Sequence, residues 1–424
     1  MMGNPMALPR IITLMGSGET APTMIKTHRA VIERLGNAVR PVVLDTPYGF
    51  QENASELAAR AQEYFRNSVG HAIEVAGLQQ LHNVDELTLA QGLARLQDAT
   101  YLFAGPGSPT YALRQWAGSP VPGAITHKLR HGGAVTFASA AALTLGRLTV
   151  PVYEIYKVGE DPYWLDGLDV LGEIGLNVAV IPHYDNAEGG HHDTRFCYLG
   201  ERRLSMLEEL MGNDMHVLGL DEHTGVVIDI DAETATVVGN GTITVRKRGE
   251  STVYAAGAEL HLDQLRFPGT SGGTTKRAEP TATAVATEAA PAAASLAADT
   301  ERCEQAFNDS LAQRDAPGAA RAALELDAAI HAWSADTLQS DEADRARMTL
   351  RSMIVKLGDA AQGGLADPRA VVGPYMDVLL ALRATVRAEK RYDLSDIIRD
   401  HLAAIGVEVR DTREGVQWEL RSAE

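Results

Sequence analysis

The chain is short of positive charge, of cysteine and of long apolar runs, and each shortage narrows what it can be. Over 424 residues the formal net charge is −18. That argues against DNA or an anionic membrane as a partner, because such surfaces call for a broad basic field. Cys197 and Cys303 are the only cysteines, and their wide spacing supplies neither a disulfide framework nor a zinc knuckle. The first apolar run, residues 11–15, is too short for a secretory core or a membrane span, and no other segment is long and apolar enough. The expectation is a soluble, cytoplasmic protein. Gly16-Ser17-Gly18 follows this run but lacks the third glycine of a dinucleotide fingerprint, so no cofactor is assigned. His183, His191, His192 and His223, with nearby carboxylates, permit a metal site, but no helical His-x-x-x-His spacing occurs and no metal is assigned.

What is present is alternation. Compact apolar runs at 11–15, 41–45, 73–75, 101–104, 134–137 and 178–181 read as buried strands. Helical patterns fall between the earlier ones, at 22–35, 53–66, 85–96, 111–116 and 122–130. This order predicts an α/β domain with a parallel sheet covered on both faces, whose ligands sit at the carboxyl ends of the strands. Further strands are read at 217–220 and 225–230. Segments 234–238 and 242–246, joined by Gly239-Asn240-Gly241, read as a hairpin. Residues 269–300 lose nearly all large apolar side chains in favour of Ala, Thr, Pro and Glu, the composition of a disordered linker. Residues 301–424 are helical and rich in Ala, Leu and Arg, with an extended tail after Gly406. The predicted domains are therefore 1–268 and 301–424, with the linker between them.

Chemistry concentrates at the strand ends. In residues 132–146 a buried strand meets a run of small residues, and one hydroxyl, Ser139, stands at the junction. A serine there can occupy a sharp strand-to-helix turn that exposes its oxygen and aims the following N–H groups at an oxyanion. The alternative is a plain buried strand and Ala-rich helix. Gly105-Pro106-Gly107 ends another strand and reads equally as an oxyanion loop or an ordinary connection. His183 ends a strand of the same predicted sheet and can serve as base, and Glu154, between serine and histidine, can orient it.

Residues 10–265 resemble the dipeptidase E and cyanophycinase group of serine peptidases, which have the class I glutamine amidotransferase-like (flavodoxin-like) fold. The likeness rests on Gly16-Ser-Gly-Glu19, Gly105-Pro-Gly107, Ser139-Ala-Ala-Ala, Pro182-His183-Tyr184 and Gly219-Leu-Asp-Glu-His-Thr224. It implies a catalytic set of Ser139, His183 and Glu154, with the N–H groups of Gly107 and Ala140 facing the oxyanion. It also implies an aspartyl or β-aspartyl peptide substrate, met by Glu19, Tyr184, Arg195 and Arg203. The group carries glycine two positions to either side of the serine; here those places are Phe137 and Ala141. A Phe in that turn must find room, so a catalytically inactive binding or scaffold protein is the second reading.

The tail resembles the C-terminal helical region of cysteinyl-tRNA synthetases, through Leu382-Arg-Ala-Thr-Val-Arg387, Lys390-Arg391-Tyr392, Ser395-Asp396-Ile-Ile-Arg399-Asp400 and Trp418-Glu-Leu420. The His-Ile-Gly-His and Lys-Met-Ser-Lys-Ser signatures of such enzymes are absent, so aminoacylation by this chain is excluded. The resemblance raises tRNA as a partner. The acidic balance of the domain favours instead a docking or dimerisation module, with a second copy of the chain as one partner.

Overall fold

Strand β1 (Arg10–Met15) is the axis of the first unit, with every side chain after Arg10 buried. It pairs in parallel with β5 (Gly133–Ala138) and antiparallel with β10 (Thr224–Asp229). The continuous apolar runs of β1, β4 (Tyr101–Ala104) and β5 follow from burial on both faces. The structure, a computed structural model, describes residues 7–82, 84–187, 192–266, 295–334, 342–362, 368–412 and 415–421. With β2 (Pro41–Val43), β3 (Glu74–Val75), β11 (Thr234–Gly239) and β14 (Glu259–His261), these strands form a sheet of order β14-β11-β10-β1-β5-β4-β2-β3. From β1 to β3 it is parallel; from β10 outward it is antiparallel.

A second sheet was not foreseen. It joins β6 (Leu148–Thr149), β7 (Leu165–Asp166), β8 (Val178–Ile181), β9 (His216–Leu220), β12 (Thr242–Lys247) and β13 (Glu250–Ala255) in the order β13-β12-β9-β8-β6-β7. The α/β class holds, but the single parallel sheet becomes two mixed ones. The expected hairpin at Gly239-Asn240-Gly241 is likewise corrected: β11 pairs with β10 and β14, whereas β12 pairs with β9 and β13. Side-chain and backbone bonds hold this crossing. Asn240 N–H donates to the His223 carbonyl (3.0 Å) and Gly241 N–H to Thr224 Oγ1 (2.8 Å). Thr242 N–H and its hydroxyl both reach Asp221 Oδ2, at 2.8 and 2.7 Å.

The chain divides into two compact units, 1–295 with 331–343, and 296–330 with 344–424. The described residues among 331–343, read from sequence as part of the helical domain, thus group with the first unit. There Trp333 meets His223 edge to face, ring centroids 5.4 Å apart. The helix Leu296–Ala312 begins inside the stretch that composition assigns to the linker. Leu296 is buried, and Asp299 lies in the first turn, where a carboxylate favours helix. Residues 269–294 of that stretch lie outside the described residues.

In the second unit, helices Pro368–Ala388 and Tyr392–Ala404 pack with a hairpin, Val407–Thr412 and Gly415–Leu420, around Met376, Leu402 and Val407. No helix among the described residues is long and apolar enough to cross a membrane.

Candidate active site

Strand β5 delivers Ser139 directly. The chain leaves Ala138 in an extended conformation (φ −129°) and turns at Ser139 into the left-handed region (φ 48°) before the short helix Ser139–Leu143. A left-handed non-glycine residue costs about 1–2 kcal/mol, and such strain persists where the surroundings over-determine it. Phe137 does not obstruct this turn. It is fully buried, its ring lodged against Trp116 at 5.9 Å between centroids. Ala141 is also fully buried, and its N–H donates to the Gly105 carbonyl (3.2 Å), tying the serine helix to the neighbouring loop.

The second sheet supplies the partners. Strands β8 and β9 run parallel with Ile181 opposite Gly219. The residues just beyond each strand, His183 and Glu222, therefore emerge side by side at one carboxyl edge. Ser139 Oγ lies 2.9 Å from His183 Nε2, and His183 Nδ1 lies 2.8 Å from Glu222 Oε1. An ionised carboxylate only accepts, so Nδ1 carries the proton toward Glu222 and Nε2 accepts from the serine hydroxyl. Asn186 Nδ2 also donates to Glu222 Oε1 (3.1 Å), and Glu222 N–H donates to Asp185 Oδ1 (2.7 Å). Burial pushes the Glu222 carboxyl up, but hydrogen bonds from His183 and Asn186 and the nearby imidazole outweigh it and leave it below the ordinary glutamate value. Burial raises its neighbours Asp185 and Asp221 instead.

Glu222, not Glu154, is thus the acid beside His183. Glu154 opens a turn (Glu154–Val158) beyond β6, and its Oε2 accepts from the Thr110 hydroxyl at 3.1 Å, on the side of the Gly107 loop. Sequence reasoning also put Ser139 and His183 in one sheet; they come from two. The signal for Glu222 was its position just after the strand that ends at Leu220, parallel to the one that carries His183.

The loop after β4 lies next to the serine turn, because Ala104 pairs with Phe137. Gly107 has φ 140°, and a Cβ there would come 2.0 Å from the Pro47 carbonyl oxygen, so only glycine fits. Ala140 follows Ser139 at the start of its helix. Two proposed substrate residues are buried instead. Glu19 lies beneath Gly105, and Tyr184 packs over Gly219 and against Phe196, 4.5 Å between ring centroids. They support the loops rather than line an open surface. Arg195 is half-exposed and held by Asp193 through two bonds of 2.8 Å; Arg203 donates to the Leu199 carbonyl at 3.4 Å. His191 lies outside the described residues, and among those described no three His, Cys, Asp or Glu side chains gather as a metal site would require.

No protein-family model matches the chain. Among solved structures it is similar to a peptidase from an acI-B1 actinobacterium. That likeness covers 60% of this chain and 98% of the other, at 20% identity and a TM-score of 0.49. A protein of Listeria monocytogenes EGD-e, named a candidate peptidase E, is similar over 58% of this chain and 98% of its own, at 12% identity and a TM-score of 0.35. Among curated proteins, the cysteine–tRNA ligase of Porphyromonas gingivalis is 33% identical over 129 residues, 28% of this chain and 25% of the ligase. That of Petrotoga mobilis is 51% identical over 43 residues, 10% of this chain and 9% of the ligase. The chain spans about a quarter or less of the curated relatives it matches. The matches to cysteine–tRNA ligases cover 28% of this chain or less.

Proposed function

We propose that the first unit is a serine-type hydrolase of aspartyl or β-aspartyl peptides, working through Ser139, His183 and Glu222. The observation that carries this reading is the unbroken relay from Ser139 Oγ to His183 (2.9 Å) and on to Glu222 (2.8 Å). His183 takes the hydroxyl proton as Ser139 attacks the substrate carbonyl, Glu222 holds the resulting imidazolium, and His183 returns the proton to the leaving amine. Water then repeats the sequence on the acyl-enzyme. The N–H groups of Gly107 and Ala140 face the oxyanion, the largest single source of transition-state stabilisation in such sites. Arg195 or Arg203 meets the substrate carboxylate; for Arg195 the newcomer competes with Asp193. No cofactor is needed for this chemistry. The inactive-scaffold reading needed a Phe137 that blocked the turn or a serine out of reach of its base, and neither observation supports it. The test is hydrolysis of aspartyl dipeptides by the parent and by Ser139→Ala. A loss of roughly 10³-fold or more in kcat is expected; equal turnover would end the proposal.

For the second unit we propose a docking or dimerisation role rather than a nucleic-acid interface. The Arg383 side chain is 2% exposed, and its fork closes on Asp411 at 2.8 and 2.9 Å. Arg387 joins the same carboxylate, Arg391 pairs with Asp393, and Arg399 pairs with Asp396 and Asp400. Cations already neutralised release few counterions from phosphate, so affinity for RNA should be weak and salt-sensitive. Titrating tRNA against the full chain should show no binding at physiological salt. Tight binding that survives that salt and favours one tRNA would contradict this.

A further inference from the structure

We propose that Tyr198, backed by Tyr156, is the leaving-group subsite of this hydrolase: an aromatic wall beside His183 that takes an aromatic side chain on the residue just after the scissile bond. The proposal rests on the serine-hydrolase reading and specifies its substrate further. The histidine of such a relay delivers its proton to the departing amine, so the first residue of the leaving peptide passes along the imidazole. Whatever flanks that ring meets its side chain.

Tyr198 flanks it. Its ring centroid lies 6.5 Å from that of His183 at an interplanar angle of 40°. Tyr156 lies 5.1 Å behind Tyr198 at 31°, and both tyrosines are partly exposed. A third aromatic ring added to such a pair gains an offset or edge contact beyond its buried area.

The backbone shows how much this placement demands. Phe196, Cys197 and Tyr198 are three consecutive residues in the left-handed region, at φ 61°, 56° and 65°. Bulky side chains rarely adopt that conformation singly, let alone in a run. The turn is fastened to the catalytic segment: Cys197 N–H donates to the His183 carbonyl (3.0 Å) and Phe196 N–H to the Tyr184 carbonyl (2.9 Å). Tyr198 therefore follows directly on residues bonded to the segment that carries the base. The opposite end of the wall is fixed to the Gly107 loop, since the residues just before Tyr156 bond to it. The Tyr153 hydroxyl donates to the Gly107 carbonyl (3.3 Å), and Glu154 accepts from Thr110 (3.1 Å). The wall thus links the segment that carries the base to the proposed oxyanion loop.

The experiment compares kcat/KM for Asp-Phe and Asp-Gly with the parent, Tyr198→Ala, Tyr198→Phe and Tyr156→Ala. The parent should prefer Asp-Phe. Tyr198→Ala should shrink that preference about tenfold and Tyr156→Ala about threefold, chiefly through KM, while Tyr198→Phe keeps it, because the ring makes the contact. Circular dichroism checks that each variant folds; if Tyr198→Ala does not, Tyr156→Ala carries the test. An unchanged preference in a folded alanine variant, or a parent indifferent to the two dipeptides, overturns the subsite. A parent that cleaves neither dipeptide although a fluorophosphonate labels Ser139 overturns the subsite alone. Failure of the label as well overturns the hydrolase reading and the subsite with it.

Discussion

Glu222→Gln is expected to lower kcat roughly 10³- to 10⁴-fold, whereas Glu154→Gln should change it less than about threefold. The first substitution keeps the size and the hydrogen-bonding capacity of the side chain but removes its charge. An amide beside Nδ1 no longer stabilises the imidazolium, and it can turn its NH₂ toward the ring and favour the wrong tautomer. Asn186, which now donates to the same carboxylate oxygen at 3.1 Å, would meet a neutral acceptor and a weaker bond. Glu154 has no such part in the relay, since its bond is to Thr110. Steady-state kinetics on one dipeptide, with unfolding curves for both variants, decides the matter. Equal losses, or the larger loss at Glu154, would return the acid to the position implied by family resemblance.

Acid should destabilise the first unit well before its carboxylates are generally protonated. His28 and His216 are buried and held neutral, with burial lowering each from 6.5 to about 4 against the opposing pull of a backbone carbonyl. His28 lies between the Tyr101 hydroxyl and the Glu19 carbonyl, each at 2.7 Å, and His216 Nε2 meets the Leu265 carbonyl at 2.8 Å. At these two sites the unfolded chain therefore binds more protons than the folded one between those two values. The associated stability is complete above about pH 6.5 and drains away as pH falls toward 4. A shift of this size corresponds to about 3 kcal/mol per histidine, a large share of the roughly 5–15 kcal/mol typical of a domain. Asp185 and Asp221, raised by burial, act in the opposite sense as they protonate, and Glu222 acts with the histidines. Thermal unfolding of the parent should show Tm falling from pH 7 to pH 5, and a folded His28→Gln variant should show a shallower fall. A flat profile, or equal slopes in the two proteins, would contradict this account.

Much of this was legible in the sequence, for identifiable reasons. The strands announced themselves because residues such as Ile11, Leu102 and Val135 are buried on both faces and form unbroken apolar runs. Ser139 stood out as the hydroxyl where one run ends, and His183 where another does. What a run of apolar residues does not encode is its neighbour. That β8 and β9 pair with each other and form a second sheet with β12 depends on long-range register. That register alone brings Glu222 to His183. Distance along the chain pointed to Glu154, and resemblance pointed to the same residue. The bonds from Asp221 to Thr242 that carry the chain between sheets likewise join residues with no local signature. Phe137 looked like an obstruction because local pattern does not show that Trp116 lies ready to receive it.

The central claim is that Ser139 is an activated nucleophile, and one measurement addresses it without knowledge of the substrate. The full chain is treated with a fluorophosphonate, digested and mapped by mass spectrometry, in parallel with His183→Ala. The account predicts a single phosphonyl adduct on the peptide containing Ser139 in the parent, formed at least about a hundredfold more slowly when the base is removed. An unmodified Ser139 in folded parent protein, or labelling just as fast in His183→Ala, would contradict it.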